Sequence, residues 1–240
     1  MREQFIKNQI KETDLGFHGS QNSRLNNLTD AVFGIALALL IFNVTDANSF
    51  SDLLVFAKSF PAILLSIILL YLVWKEHVAF SNLFGIQGFA LQFLNLIFIA
   101  LVIFYVYPLR FMTKLLTSMF FHLEIEMSIK PSEIPDLMIF YGSIALALYF
   151  TLYLAYKKAI DRYPELSPSE KFYSESQKSR MIIMALVPLL SLILSFSLKE
   201  VSIVLASSVG GSIYGLYPIL IKIWKKRNTK RMQKIIEAEA

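Results

Sequence analysis

Apolar residues along this chain are bunched into blocks instead of alternating with polar ones. Six blocks stand out, at 28–44, 53–73, 88–107, 137–156, 181–198 and 201–221. A helix rises about 1.5 Å per residue, so about twenty apolar residues cross the ~30 Å hydrocarbon core of a bilayer. None of the blocks has the strict two-residue alternation of a membrane β-barrel. The pattern predicts an all-α, six-helix integral membrane protein. Its parts would be a cytoplasmic N-terminal segment (1–27), a transmembrane domain (28–221) and a basic cytoplasmic tail (222–240). The first block is the shortest, with Asn26, Asn27, Thr29 and Asp30 at its entrance.

Charge placement tests the span count. Of 23 Lys and Arg, 18 fall before span 1, between spans 2 and 3, between spans 4 and 5, or after span 6. Only four fall on the other side, and Lys58 lies within span 2. Basic residues flanking spans are retained in the cytoplasm, so the split predicts an even number of spans in the plasma (inner) membrane, with both termini inside. Residues 1–26 lack the apolar core of a cleaved signal peptide, so span 1 is expected to act as an uncleaved insertion signal. The region 161–180 is polar, carries two prolines and reads as a solvated linker. The region after span 3 mixes Phe111, Leu115 and Met119 with Lys114, which suits a helix extending span 3 or lying in the outer interface.

Composition then narrows the chemistry. Of the 240 residues 55% are hydrophobic and 17% charged, with a mean hydropathy of +0.55; soluble domains run nearer ~25% charged. With no Cys there can be no disulfide, thiolate metal site or thiol nucleophile, and three His leave little for a His-based site. No span carries paired carboxylates or a Ser beside a base, so an enzyme is not expected, and neither is a cofactor. The net charge of +5 is concentrated in cytoplasmic segments, above all 222–234. It reads as a topology signal with anionic-lipid contact, not as nucleic-acid affinity. Ser207, Gly211 and Gly215 recur at i, i+4 and i+8 on span 6, with Gly210 and Ser212 beside them; this predicts either a tightly packed face or a glycine-lined path. Pro61, Pro188 and Pro218 should bend their spans.

Polar groups at membrane depth are the candidates for function. Asp30 opens span 1, six residues after Arg24. Trp74 and His77 share one face at the end of span 2, and Asn95 lies inside span 3. Arg24, Thr29, Asp30, Trp74, His77 and Asn95 form either one network between adjacent helices or a set of unrelated interfacial anchors. On helix 1, Ile35, Ala38, Leu39, Phe42 and Asp46 fall near one face by their spacing, with Asp30 about 140° away from Ile35 at ~100° per residue. The stripe is either an ordinary buried seam or a surface for something that passes.

These residues resemble a family. Arg24-x-x-x-Leu28-Thr29-Asp30 and the apolar run after it are similar to the first-helix motif, Arg-x-x-x-Phe-Ser-Asp, of prokaryotic transmembrane protein 175 channels, relatives of the lysosomal potassium channel. Trp74-x-x-His77 and Leu94-Asn95-Leu96 extend the match, which covers roughly residues 24–108. The resemblance implies a homotetramer with helix 1 lining a central cation pore, permeant potassium (with sodium left open) and an intersubunit polar network that is structural. Leu28, Thr29 and Val78 depart from the family pattern, and Ala38 stands where many relatives carry Thr. Combined with the helix geometry, this gives an expected apolar constriction at Ile35, further rings at Leu39 and Phe42, and an acidic outer mouth at Asp46. The rival expectation is a proton-coupled transporter using Asp30 and His77 as a relay; the missing internal repeat counts against it.

Overall fold

The computed structural model describes residues 24–42, 49–121, 130–164 and 166–239. These residues form helices α1 (Arg24–Phe42), α2 (Phe50–Phe84), α3 (Phe89–Phe121), α4 (Ile134–Arg162), α5 (Pro168–Lys199), α6 (Ile203–Ser212) and α7 (Tyr217–Glu239). Short 3-10 turns, Pro131–Glu133 and Ile213–Leu216, precede α4 and α7. Among the described residues, six helical stretches are long and apolar enough to cross a membrane, the last being Ile203–Ile235. The chain is a multi-pass membrane protein.

Several helices run past the hydrophobic blocks that nucleate them. α2 has 35 residues, about 52 Å at 1.5 Å per residue, and stops at Gly85. That glycine takes φ 67° and returns its N–H to the Ser81 carbonyl at 2.8 Å, an end that favours glycine because a Cβ crowds this conformation. α3 continues through Phe121, the first of the two forms expected after span 3. α1 begins at Arg24, so the expected boundary between residues 27 and 28 falls inside a helix. The expected tail is likewise helical, as part of α7.

The polar region 161–180 is not a linker. Ser167 accepts from the Glu170 N–H, and the Glu170 carboxylate accepts from the Ser167 N–H at 2.9 Å. This capping box, with Pro168 in the first turn, starts α5 a dozen residues ahead of its apolar block. Ser174, Ser176 and Gln177 are buried there.

The antiparallel pair α4–α5 forms the centre, with α3 and α6 beside it and α1 packed chiefly on α3 and α2. Phe84, Phe98, Leu148, Leu152 and Tyr156 fill the core. The sixth span is interrupted, as its proline demands. Pro218 cannot donate to the Tyr214 carbonyl, and the Tyr217 N–H bonds that oxygen instead, tightening the chain into the 3-10 turn. In α5, Pro188 leaves the Met184 carbonyl without its helical donor, and the Tyr217 hydroxyl donates to it at 2.8 Å. The small-residue face of α6 lies one residue away from the expected set. Ala206 and Gly210 are buried against α5, where Ser191 Oγ donates to the Gly210 carbonyl at 2.7 Å. Gly215 meets nothing within 4 Å of a Cβ position.

Candidate pore helix and its polar lock

The first helix divides by burial. Thr29, Val32, Phe33, Ala36 and Leu40 are buried, and Phe33 packs on Phe98 of α3 with ring centroids 6.2 Å apart. The opposite side carries Arg24, Asn27, Leu28, Asp30, Ala31, Gly34 and Ile35, all exposed, with Ala38 half-buried. Ile35 is 56% exposed, and nothing lies within 4 Å of a Cβ built on Gly34. Lipid-facing helices are usually large and apolar throughout. This face is mostly polar for its first two turns, with Leu28 among the polar groups, and then small around Ile35, with Ile41 exposed beyond it, the composition of a surface that meets other helices or water.

The stripe expected from spacing is partly redrawn. Ile35 and Ala38 lie toward the open side, but Leu39 is half-buried and packs on the subunit's own core. Phe42 closes α1, with its side chain outside the described ones, and Asp46 lies outside the described residues. Asp30, set about 140° from Ile35 by the helical spacing, is nonetheless exposed at the edge, and Thr29 is the motif residue that enters the interior, with no exposed surface.

Thr29 joins a directional chain of bonds. His77 Nε2 lies 2.8 Å from Asn95 Oδ1, Asn95 Nδ2 donates to Thr29 Oγ1 at 3.1 Å, and the Thr29 hydroxyl donates to the Leu25 carbonyl at 2.8 Å. With His77 protonated on Nε2, every donor in the chain has an acceptor, which suits three buried polar side chains. The His77 ring also stacks on Phe98 at 4.9 Å. One turn away, Trp74 Nε1 donates to Asp30 Oδ1 at 2.9 Å. One turn of α2 thereby grips α1 directly through Trp74 and, through His77, by way of Asn95.

Five of the six expected network residues meet, in two groups: Thr29–Asn95–His77 and Asp30–Trp74. These bonds join α1, α2 and α3 of one chain. Arg24 is exposed, and no bond among the described residues joins it to the others. Asp30 and His77, paired in the proton-relay expectation, do not bond each other. Each has its own partner, and an indole N–H is a donor only.

Arg180 stands in the sequence only as one of the charges between spans 4 and 5, with nothing in its spacing to mark it. It pairs with Glu76, a buried carboxylate one residue before His77, and its guanidinium lies over the Trp224 ring, 5.6 Å from the centroid. The local signal was present in Ser167-x-x-Glu170, which starts the helix that carries Arg180 inward. At the same end, Arg162 Nη1 donates to the Gln87 carbonyl at 2.6 Å, beside Gly88 at φ 81°. Among the described residues, no group of three or more His, Asp or Glu could hold a metal ion.

No family model matches the chain. A potassium channel of Marivirga tractuosa is 26% identical over 234 residues, 93% of this chain and 94% of the relative. A crystal structure of the potassium channel MtTMEM175, in a threonine-to-alanine variant bound to a nanobody–MBP fusion protein, superposes with a TM-score of 0.79 at 27% identity. The match covers 90% of this chain and 97% of the other. A lysosomal potassium-selective channel TMEM175 homolog from Chamaesiphon minutus shares the fold at a TM-score of 0.51 and 20% identity, over 80% of this chain and 95% of the other. The resemblance to transmembrane protein 175 channels therefore extends beyond the first three helices to nearly the whole chain.

Proposed function

We propose that the chain is the subunit of a passive, potassium-permeable cation channel of the plasma membrane, a channel and not an enzyme. Four copies of α1 surround its pore, and Ile35 forms the narrowest ring. The observation that carries this reading is the open side of α1: polar at Arg24, Asn27 and Asp30, small at Ala31, Gly34 and Ala38, and apolar at Ile35. Around an axis, that sequence of side chains makes a hydrophilic entrance leading to an apolar constriction. Such a ring stops ions by dewetting when narrow and passes them when widened. The nearly full-length similarity to the Marivirga tractuosa potassium channel and to the MtTMEM175 structure supports it. Both termini are cytoplasmic in this reading, by the placement of the basic residues.

The lock formed by Thr29, Asn95, His77, Asp30 and Trp74 has a structural part in this function. It fixes the rotation of α1, so that Ile35 stays turned away from its own subunit. Ala38 offers no hydroxyl to a passing ion, so discrimination of potassium from sodium rests on the apolar ring and the electrostatics of the entrance. The basic surface of α7 faces the anionic leaflet.

Flux through purified protein in liposomes, with a subunit count by native mass spectrometry, tests the assignment. Wild-type protein should pass potassium down its gradient without a proton gradient, as a tetramer. Ile35→Asn should increase leak severalfold by wetting the constriction. Unchanged flux from that variant, or a monomeric wild type, refutes the pore assignment.

A further inference from the structure

α7 has two faces of opposite character. Trp224, Asn228, Met232 and Ile235 recur at helical spacing and are wholly or partly buried. The rest of the surface carries Lys222, Lys225, Lys226, Arg227, Lys230, Arg231 and Lys234, all seven exposed and none paired with a carboxylate among the described residues. Lys222 stands about 28 Å along from Ile203, taking ~1.5 Å per residue, which is close to the thickness of the hydrocarbon core. The cations therefore begin where phospholipid headgroups begin.

The packed face of this helix touches the lock on α1 through two side chains. Trp224 lies against the Arg180 guanidinium, and Arg180 is bonded to Glu76. Glu76 lies on the turn of α2 whose Trp74 and His77 hold Asp30 and Asn95. Glu76 is 5% exposed, and a buried carboxylate does not part from its cation cheaply, so a displacement of Arg180 is carried into that turn. Two buried donors at the junction, Arg180 Nε and Trp224 Nε1, have no acceptor among the described residues.

We propose that anionic phospholipid headgroups seated against α7 control the pore helix through Trp224, Arg180 and Glu76. The proposal rests on the channel reading for its effect on flux, but not for the binding itself. Seven unpaired cations make an anionic headgroup the matching partner, and the ion pair gives its occupancy a mechanical path to α1.

Two measurements on the full-length protein in vesicles separate the parts. Trp224 is one of two tryptophans in the chain, so brominated phosphatidylglycerol in phosphatidylcholine vesicles should quench fluorescence more than brominated phosphatidylcholine at the same fraction. A variant with Lys225, Lys226 and Lys230 changed to Gln should lose that preference, by about fivefold in relative affinity per charge. Wild-type potassium flux should change at least about twofold between vesicles with and without phosphatidylglycerol. The Glu76→Met/Arg180→Met pair, chosen because both charges leave together, should keep the quenching preference and lose the lipid dependence of flux; Arg180→Lys, which keeps the charge, should retain part of that dependence. Equal quenching by the two brominated lipids overturns the docking. Preferential quenching with flux indifferent to lipid overturns the control. Absence of flux in every vesicle overturns the channel reading and with it the control, while quenching still decides the docking.

Discussion

Replacing Asn95 with Leu removes the middle of the lock at nearly constant volume. His77 Nε2–H then loses the acceptor 2.8 Å away, and Thr29 Oγ1 loses the donor at 3.1 Å. The two losses are unequal. Thr29 still donates to the Leu25 carbonyl, so its oxygen forfeits only an accepted bond, whereas the imidazole N–H is left buried with no acceptor. A buried unsatisfied group costs roughly 1–3 kcal/mol, and interhelical hydrogen bonds in membranes average ~0.6 kcal/mol. Asn95→Leu should therefore destabilise by about 2–3 kcal/mol, mostly through His77. His77→Phe in the same chain removes the orphaned donor and keeps an aromatic ring against Phe98, so the double variant should recover half or more of the loss. Denaturant titration of the detergent-solubilised protein measures all three variants. If the double variant loses as much as the two single ones together, the residues are not coupled and the lock is refuted as described.

Other substitutions probe separate parts of the argument. Gly210→Val should destabilise by about 1–3 kcal/mol, because its Cβ overlaps Ser195 Oγ on the packed face of α6. Gly215→Ala has open space and should be close to neutral; thermal melting of the pair reads out which small residues of the sixth span pack on α5. Gly88→Ala should cost roughly 1–3 kcal/mol, since φ is 81° and the new Cβ also displaces the Arg162 guanidinium; a melting temperature equal to wild type counts against the strained turn. Arg180→Met should be far worse than Glu76→Met/Arg180→Met, by ~3–5 kcal/mol for the single change, because only the single variant leaves a buried carboxylate alone. Chemical denaturation compares the two.

The membrane spans were legible because hydrocarbon thickness is a hard length, and any block near twenty apolar residues declares itself. The lock was legible as candidates because buried polar residues are rare enough at membrane depth to stand out. Its division into two groups was not, because nothing in the spacing says that Thr29 turns inward while Asp30 stays at the rim. The start of α5 was missed for a different reason. Hydropathy measures what lies in lipid and is blind to a helix that continues past it; the Ser167–Glu170 box is local hydrogen-bond chemistry. The α6 register was undetermined because Ala206/Gly210 and Ser207/Gly211 have the same spacing, and only the serines of α5 choose between them. Leu39 shows the same limit. Periodicity gives the faces of a helix but not which one the rest of the chain will cover.

The bond from Tyr217 to the Met184 carbonyl has an evolutionary consequence. The phenol occupies a vacancy made by an imino acid on a different span, so neither residue makes sense without the other. An alanine at position 188 would restore an amide proton to α5 and leave the phenol competing for an oxygen already taken. Homologues should therefore lose the proline and the tyrosine together, and in lineages where both persist, the last two membrane crossings are bound to move as one body.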